Sequence, residues 1–383
     1  MATRDIKPLC AQFQEHRQAI WEPCPVPQQV LAGIRGGIVL THAGWLASLI
    51  PEECGGGGLG VNEASVILEE INHAGVNSGA CHAQMYVLVT LLRHVLAIAS
   101  GELRLQSFAV TEPTTGTDTT KTGTFTTRKG DGYMVNDQEI LISRIQPSDP
   151  VLLLERTTPL PEVKKKSEGL SVFLVDLRRG EQRGLTVRPI RNMVNHETYE
   201  VLIANFAGPA QNLIGEEDKG FRYIFDGINA ERILIAAECV GDGHWFIDKA
   251  RNYANEEIVF GRPIGKNQGI QFSMARAHTQ IRGADLMRFE AARMFDGGEP
   301  CVLEPRSPRC WRTPLGKPPT FACKPSQASA SLANTMSNES SGRLRLYQVA
   351  PVSTNLILSF IGEHVLGMPR SFSPAINLSM HEN

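Results

Sequence analysis

A chain of 383 residues exceeds what one hydrophobic core usually serves, so two or three subdomains around a sizeable interior are expected. With 42% hydrophobic and 20% charged residues and a formal net charge of -2, the composition excludes a disordered chain and offers no field for drawing in nucleic acid. The opening text MATRDIKPLCAQFQEH has no apolar core of signal-peptide length, and no apolar run reaches the roughly 20 residues that span a bilayer, so no membrane span and a cytoplasmic location are expected.

Eight cysteines fall at 10, 24, 54, 81, 239, 301, 310 and 323, with no CxxC pair and no histidine cluster at zinc-ligand spacing. They are expected to be reduced and to hold no metal.

From Val30 to about Ser100 the pattern is helical: NEASVILEEINHA and AQMYVLVTLLRHVLAIA place apolar residues three and four apart. Gly55 to Gly60, within PEECGGGGLG, reads as a flexible surface loop. No strand precedes it and no Lys-Ser/Thr follows, so a plain turn is expected rather than a phosphate cradle. At Leu105 the character changes. LQSFAVTEP opens a series of short alternating or β-branched runs bounded by Gly, Asp or Pro. TGTFTTR and GYMVNDQEILIS flank the turn signal KGDG, and LSVFLVDL, LTVRPI and YEVLIANF follow, which predicts a small antiparallel sheet domain ending near Ala210. Helical periodicity returns at Gly220 in FRYIFDGINAERILIAAECVGDGHWFIDKARNYA. Helices, then sheet, then helices predicts an all-α body interrupted by a β domain, divided at 1–104, 105–214 and 215–383.

The pattern fails between about Cys301 and Arg345, where prolines stand at 305, 308, 314, 318, 319 and 325 and apolar residues lose any period. As written, this text buries too little surface to offset chain entropy. Helix-like order resumes at LYQVAPVSTNLILSFIGEHVL.

Five segments, SFAVTEPTTGTD, GYMVNDQEILIS, NLIGEEDKGF, INAERILIA and FGRPIGKNQGIQ, resemble the acyl-CoA dehydrogenase family in order and spacing. The resemblance implies a mainly α fold with a central β domain: an N-terminal α domain, a middle antiparallel β domain and a C-terminal α bundle enclosing FAD and an acyl-CoA substrate. It further implies oxidation of fatty acyl thioesters, an electron-transferring flavoprotein as redox partner, and a homodimer or homotetramer. A flavin ring needs donors at the edge where negative charge grows on reduction, and a strand can supply them. Phe108, Val110 and Thr111 match the family's flavin-edge positions, while Gly116 and Thr117 match its turn beside the pyrophosphate and thioester. Leu141 stands where the family has a Trp against the flavin, which weakens ring packing, and Ser143 keeps the hydroxyl two residues on. Phe260 and Gln268 match further FAD positions, but Glu257 replaces an Arg that reaches the diphosphate of the neighbouring subunit's FAD.

Dehydrogenation of a thioester requires a carboxylate opposite the ring to take the α-proton. Many family members carry it in a Tyr-Glu-Gly stretch, and aligning LYQVAPVST on that stretch puts Pro351 at the Glu position. A minority branch carries its base on an earlier helix just before an Arg, the place held here by Glu231 and Arg232, with Arg232 and Thr117 on the substrate side. The family's next motif, a Gln-led Gly-rich turn and an EYDVER-like helix, is absent as written. Rereading residues 303 to 344 one base earlier yields a string containing QTQPGIGFACEYDVER, so compensating frameshifts at about 302–345 are expected. Two rival readings stand beside the dehydrogenase: a non-catalytic remnant that binds FAD poorly, and a flavin monooxygenase on the same fold.

Overall fold

The computed structural model describes residues 45–52, 56–92, 105–116, 118–177, 184–192, 197–299, 346–347 and 353–369. Thr117, Pro351 and the 302–345 stretch with its rereading lie outside the described residues.

Helix α1, Val61–His73, is followed by α2, Gly79–Leu92. The free N–H groups at the start of α1 find acceptors: Gly60 donates to Glu63 (3.0 Å), while Val61 and Asn62 donate to the Asp296 carboxylate (2.8 and 2.9 Å). The Gly-rich text before α1 is not the flexible loop expected from sequence. Gly57, Gly58 and Leu59 donate to the carbonyls of Ala47, Ile50 and Ser48, and a Cβ on Gly56 would stand 2.2 Å from the Ile50 carbonyl oxygen. These glycines permit a close backbone approach, which pins the loop to the 45–50 segment.

The middle of the chain forms eight strands in two four-stranded sheets. They are β1 Ser107–Ala109, β2 Thr127–Lys129, β3 Gly132–Ser143, β4 Pro150–Arg156, β5 Leu170–Asp176, β6 Leu185–Pro189, β7 Thr198–Pro209 and β8 Leu213–Ile214. One sheet runs β1-β4-β5-β8 and the other β2-β3-β7-β6. The expected antiparallel sheet is thus a two-sheet sandwich, and β1 pairs parallel with β4. Strand β4, text PVLLLER, is buried at every position, because it lies at the centre of three layers. Val151 and Leu153 face the other sheet with Phe173, Val201 and Phe206, whereas Leu152 and Leu154 face the helices with Val87, Leu105 and Ile224. Each such side chain contributes roughly 1.5–3 kcal/mol by leaving water.

Helix α3, Gly220–Glu256, is the longest described element at 37 residues, and the hairpin β9 Ile258–Val259 and β10 Arg262–Pro263 leads to α4, Gln268–Asp296. Ala64, Ile67, Leu68 and Ile71 of α1 meet Ala230, Ile233, Leu234 and Ala237 of α3, each set at the spacing of one helix face. Gly241 lets the two backbones touch, since a Cβ there would stand 2.2 Å from the Glu69 carbonyl oxygen. A short helix α5, Thr354–Phe360, follows near the C-terminal end. Among the described residues no helix is long and apolar enough to cross a membrane, and no group of three or more His, Cys, Asp or Glu is placed to hold a metal.

Candidate active site

The sheet's helix-facing side brings α2, α3 and β1 together. Phe108 and Val110, Tyr86 of α2 and Ile228 of α3 are all partly buried and pack against the same core cluster, and the Phe108 and Tyr86 rings meet edge-on at 6.4 Å. Glu231, one turn past Ile228, interacts with Tyr86 and His82 of α2 and with its neighbour Arg232. Burial pushes its carboxyl up to about 7, against the pull of His82 and Arg232, while Glu238 adds to the rise. The residue as a whole is only partly buried. Arg232 donates through Nη1 to Asn229 (3.0 Å), which fixes the guanidinium along the same helix.

A second group of the expected residues forms an open shelf at the end of β1. Thr111 accepts the Ile140 N–H (2.8 Å) and donates its own N–H to Glu139 (2.5 Å), so this backbone donor is already engaged. Beyond Glu139 the β3 register slips, and Leu141 takes a left-handed backbone (φ 59°) that leaves its side chain 55% exposed. A non-glycine residue held this way costs about 1–2 kcal/mol. Gly116 is exposed and open, with the Thr111 methyl 3.8 Å from where its Cβ would be. Ser143, at the end of β3, pairs with Thr198 of β7 and is partly buried. The exposed Leu141 side chain and the open turn at Gly116, with the partly buried Phe108, Val110, Thr111 and Ser143, have the chemistry that a flat, largely apolar ring such as a flavin would need.

Behind this shelf four carboxyl groups, Glu112, Asp137, Glu139 and Glu155, lie buried. Burial first, and then Asp137, pushes Glu139 up to about 9, and the same two causes raise Glu155. Glu139 therefore keeps its proton at neutral pH and puts no charge behind the ring position.

Phe260 and Gln268 are not part of this assembly. The 25 residues of α3 between Glu231 and Glu256 hold these ends apart by about 37 Å. Phe260 sits fully exposed at the tip of the β9–β10 hairpin with a left-handed backbone (φ 52°), and Gln268 begins α4, also exposed. Glu257 opens that hairpin, its N–H donated to Tyr253 (2.9 Å).

Sequence reasoning missed His82, Tyr86 and Glu238. Their spacing carried a signal: His82 and Tyr86 are four apart on α2, and Glu231 and Glu238 seven apart on α3, so each pair shares a helix face. It also missed Glu139, whose place in an otherwise alternating strand set a carboxyl among buried positions.

Family models for the acyl-CoA dehydrogenase N-terminal, middle and C-terminal domains match residues 38–97, 107–206 and 218–308. The acyl-CoA dehydrogenase fadE12 of Mycobacterium bovis is 29% identical over 347 residues, covering 86% of this chain and 87% of that protein. Among solved structures, the acyl-CoA dehydrogenase of Geobacillus kaustophilus superposes with a TM-score of 0.79 at 19% identity, covering 95% of this chain and 100% of that one. Butyryl-CoA dehydrogenase of Megasphaera elsdenii superposes with a TM-score of 0.78 at 20% identity and the same coverage.

Proposed function

Because this chain belongs to the acyl-CoA dehydrogenase family, FAD-dependent oxidoreductases acting on CH–CH bonds, we propose that it forms the α,β double bond of an acyl-CoA thioester with Glu231 as the base. The observation that carries this reading is the setting of Glu231 on α3, beside Arg232 and within reach of the His82 charge, where burial pushes its carboxyl up to about 7. A base so tuned is ionised often enough to accept a proton and basic enough to want one.

The α-carbon gives its proton to a Glu231 carboxylate oxygen, the electron pair left behind becomes the new π bond, and hydride leaves the β-carbon. Bound FAD supplies the acceptor for that hydride. Phe108, Val110, Thr111, Gly116, Leu141 and Ser143 would hold the cofactor, with Thr117 beside them in sequence. Arg232, braced by Asn229, lies on the substrate side and favours the ionised form of Glu231. Phe260 and Gln268, too distant for their own chain's ring site, serve FAD bound by a neighbouring copy in a homodimer or homotetramer. Electrons then pass to an electron-transferring flavoprotein, in fatty-acid oxidation in the cytoplasm. The division at 1–104, 105–214 and 215–383 belongs to the same proposal.

Glu231→Gln tests the assignment. It exchanges a carboxylate oxygen for a non-basic amide of equal size, so the variant should keep its flavin and bind acyl-CoA while turnover falls by roughly 10²–10⁴-fold. Near-normal turnover would remove Glu231 from the role.

A further inference from the structure

One turn before Tyr86 on α2, His82 is buried, 8% exposed, and the dehydrogenation chemistry leaves it without a task. Its Nδ1 lies 3.4 Å from Glu238 Oε1. Glu238, 1% exposed, stands two turns after Glu231 on the same face of α3. Its carboxylate is fully engaged. The Ser78 hydroxyl and the Tyr347 hydroxyl each donate to one oxygen, and Asn72 Nδ2 donates in turn to Ser78 Oγ at 2.7 Å. So braced, Glu238 is held below the usual carboxylate range, because the His82 charge and these donors outweigh burial. A buried carboxylate calls for a counter-charge, and the cation facing it is His82.

The other side of the ring is different. Nε2 is buried and has no hydrogen-bond partner among the described residues, and beyond Glu238 the ring interacts with Glu231. The titratable and charged groups around this line are Cys81 and Tyr86 of α2, Arg232 of α3, and Tyr347. The His82 and Tyr86 rings lie 5.3 Å apart, and the Glu231 charge acts on both.

We propose that His82 is a positioning residue for the reaction: clamped to Glu238, it holds a cationic ring beside Glu231 and fixes the charge state in which that carboxyl meets the substrate. The inference rests on Glu231 being the base, and it assigns to the Ser78–Glu238–Tyr347 network the work of keeping the ring charged. Burial of the imidazole opposes the proton, but Glu238 and then Glu231 outweigh it, so the ring is held above its ordinary value. The cation in turn restrains the rise that burial imposes on Glu231. Removing it lets Glu231 climb further and leaves less carboxylate at neutral pH.

The experiment compares flavin-loaded wild type, His82→Gln and Glu238→Gln in the pH dependence of kcat for an acyl-CoA, with flavin content and KM measured alongside. The acidic limb should move up by about one pH unit in His82→Gln, so that kcat at pH 7 falls about five-fold and recovers in alkali with KM little changed, and by less in Glu238→Gln, where loss of the Glu238 charge partly offsets loss of the His82 cation. Nitrogen NMR of the unaltered holoenzyme should show a histidine with both ring nitrogens protonated at pH 7, lost in Glu238→Gln. If the limb stays put in a His82→Gln protein that keeps its flavin, or if His82 proves neutral, the positioning role is wrong. If instead Glu231→Gln still turns over, the base assignment itself has failed, and the two failures are told apart by that variant.

Discussion

Replacing Glu139 by Gln exposes how much the buried carboxyl cluster behind the ring shelf takes from the fold. Glu139 has an ordinary value of 4.5 and is pushed up to about 9, first by burial and then by Asp137. In the unfolded chain this carboxyl ionises above 4.5, whereas in the folded chain it keeps its proton to about 9. The folded state thus binds more protons across that window, and stability is fully present below 4.5 and drains away as pH rises. Each pH unit inside the window removes about 1.36 kcal/mol, so moving from about pH 6 to pH 8 costs about 2–3 kcal/mol through this one group. Gln keeps an oxygen for the Thr111 N–H and has no proton to lose. Urea unfolding of wild type and Glu139→Gln at the two pH values gives the comparison. The variant's advantage should widen by about 2–3 kcal/mol at the higher pH. Parallel pH dependences in the two proteins would show that Glu139 does not carry this loss of stability.

Other expectations are simpler. Glu257→Arg should raise flavin occupancy of the purified protein, and more so at low salt, because it replaces a repelling charge near a diphosphate by an attracting one; unchanged occupancy would detach the β9–β10 hairpin from FAD. Gly241→Ala drives a Cβ to 2.2 Å from the Glu69 carbonyl oxygen and should destabilise the α1–α3 contact by about 1–3 kcal/mol. Gly283→Ala, on α4 with nothing described within 4 Å, should stabilise by about 0.5–1 kcal/mol. Thermal melts read both signs, and equal effects would show that the crossing of α1 and α3 is not set by Gly241.

Long helices and alternating strands were legible because burial on one face writes a period into the text. Helix α3 shows this in its Ala230, Ile233, Leu234, Ala237 face, and β3 in its inward Tyr133 and Val135. Strand β4 was not legible, since VLLLER is apolar on both sides and carries no alternation; only a three-layer arrangement makes every position buried. The Gly56–Gly60 loop misled for a related reason: glycine reads as freedom in sequence, but here it serves close backbone contact, which appears only once residues 45–50 are in place. In the candidate site, Glu231 and Thr111 were named from the family's motifs. His82 and Glu238 escaped because their meeting depends on how α2 packs against α3, a fact no local pattern encodes.

The most direct test of the central claim is the visible spectrum of the purified, FAD-loaded protein, followed anaerobically as an acyl-CoA is added. The flavin absorption should bleach without oxygen or a nicotinamide, with the matching enoyl-CoA as product. Absence of flavin absorption after loading, or a flavin that acyl-CoA leaves oxidised and only a reduced nicotinamide bleaches, would contradict that claim.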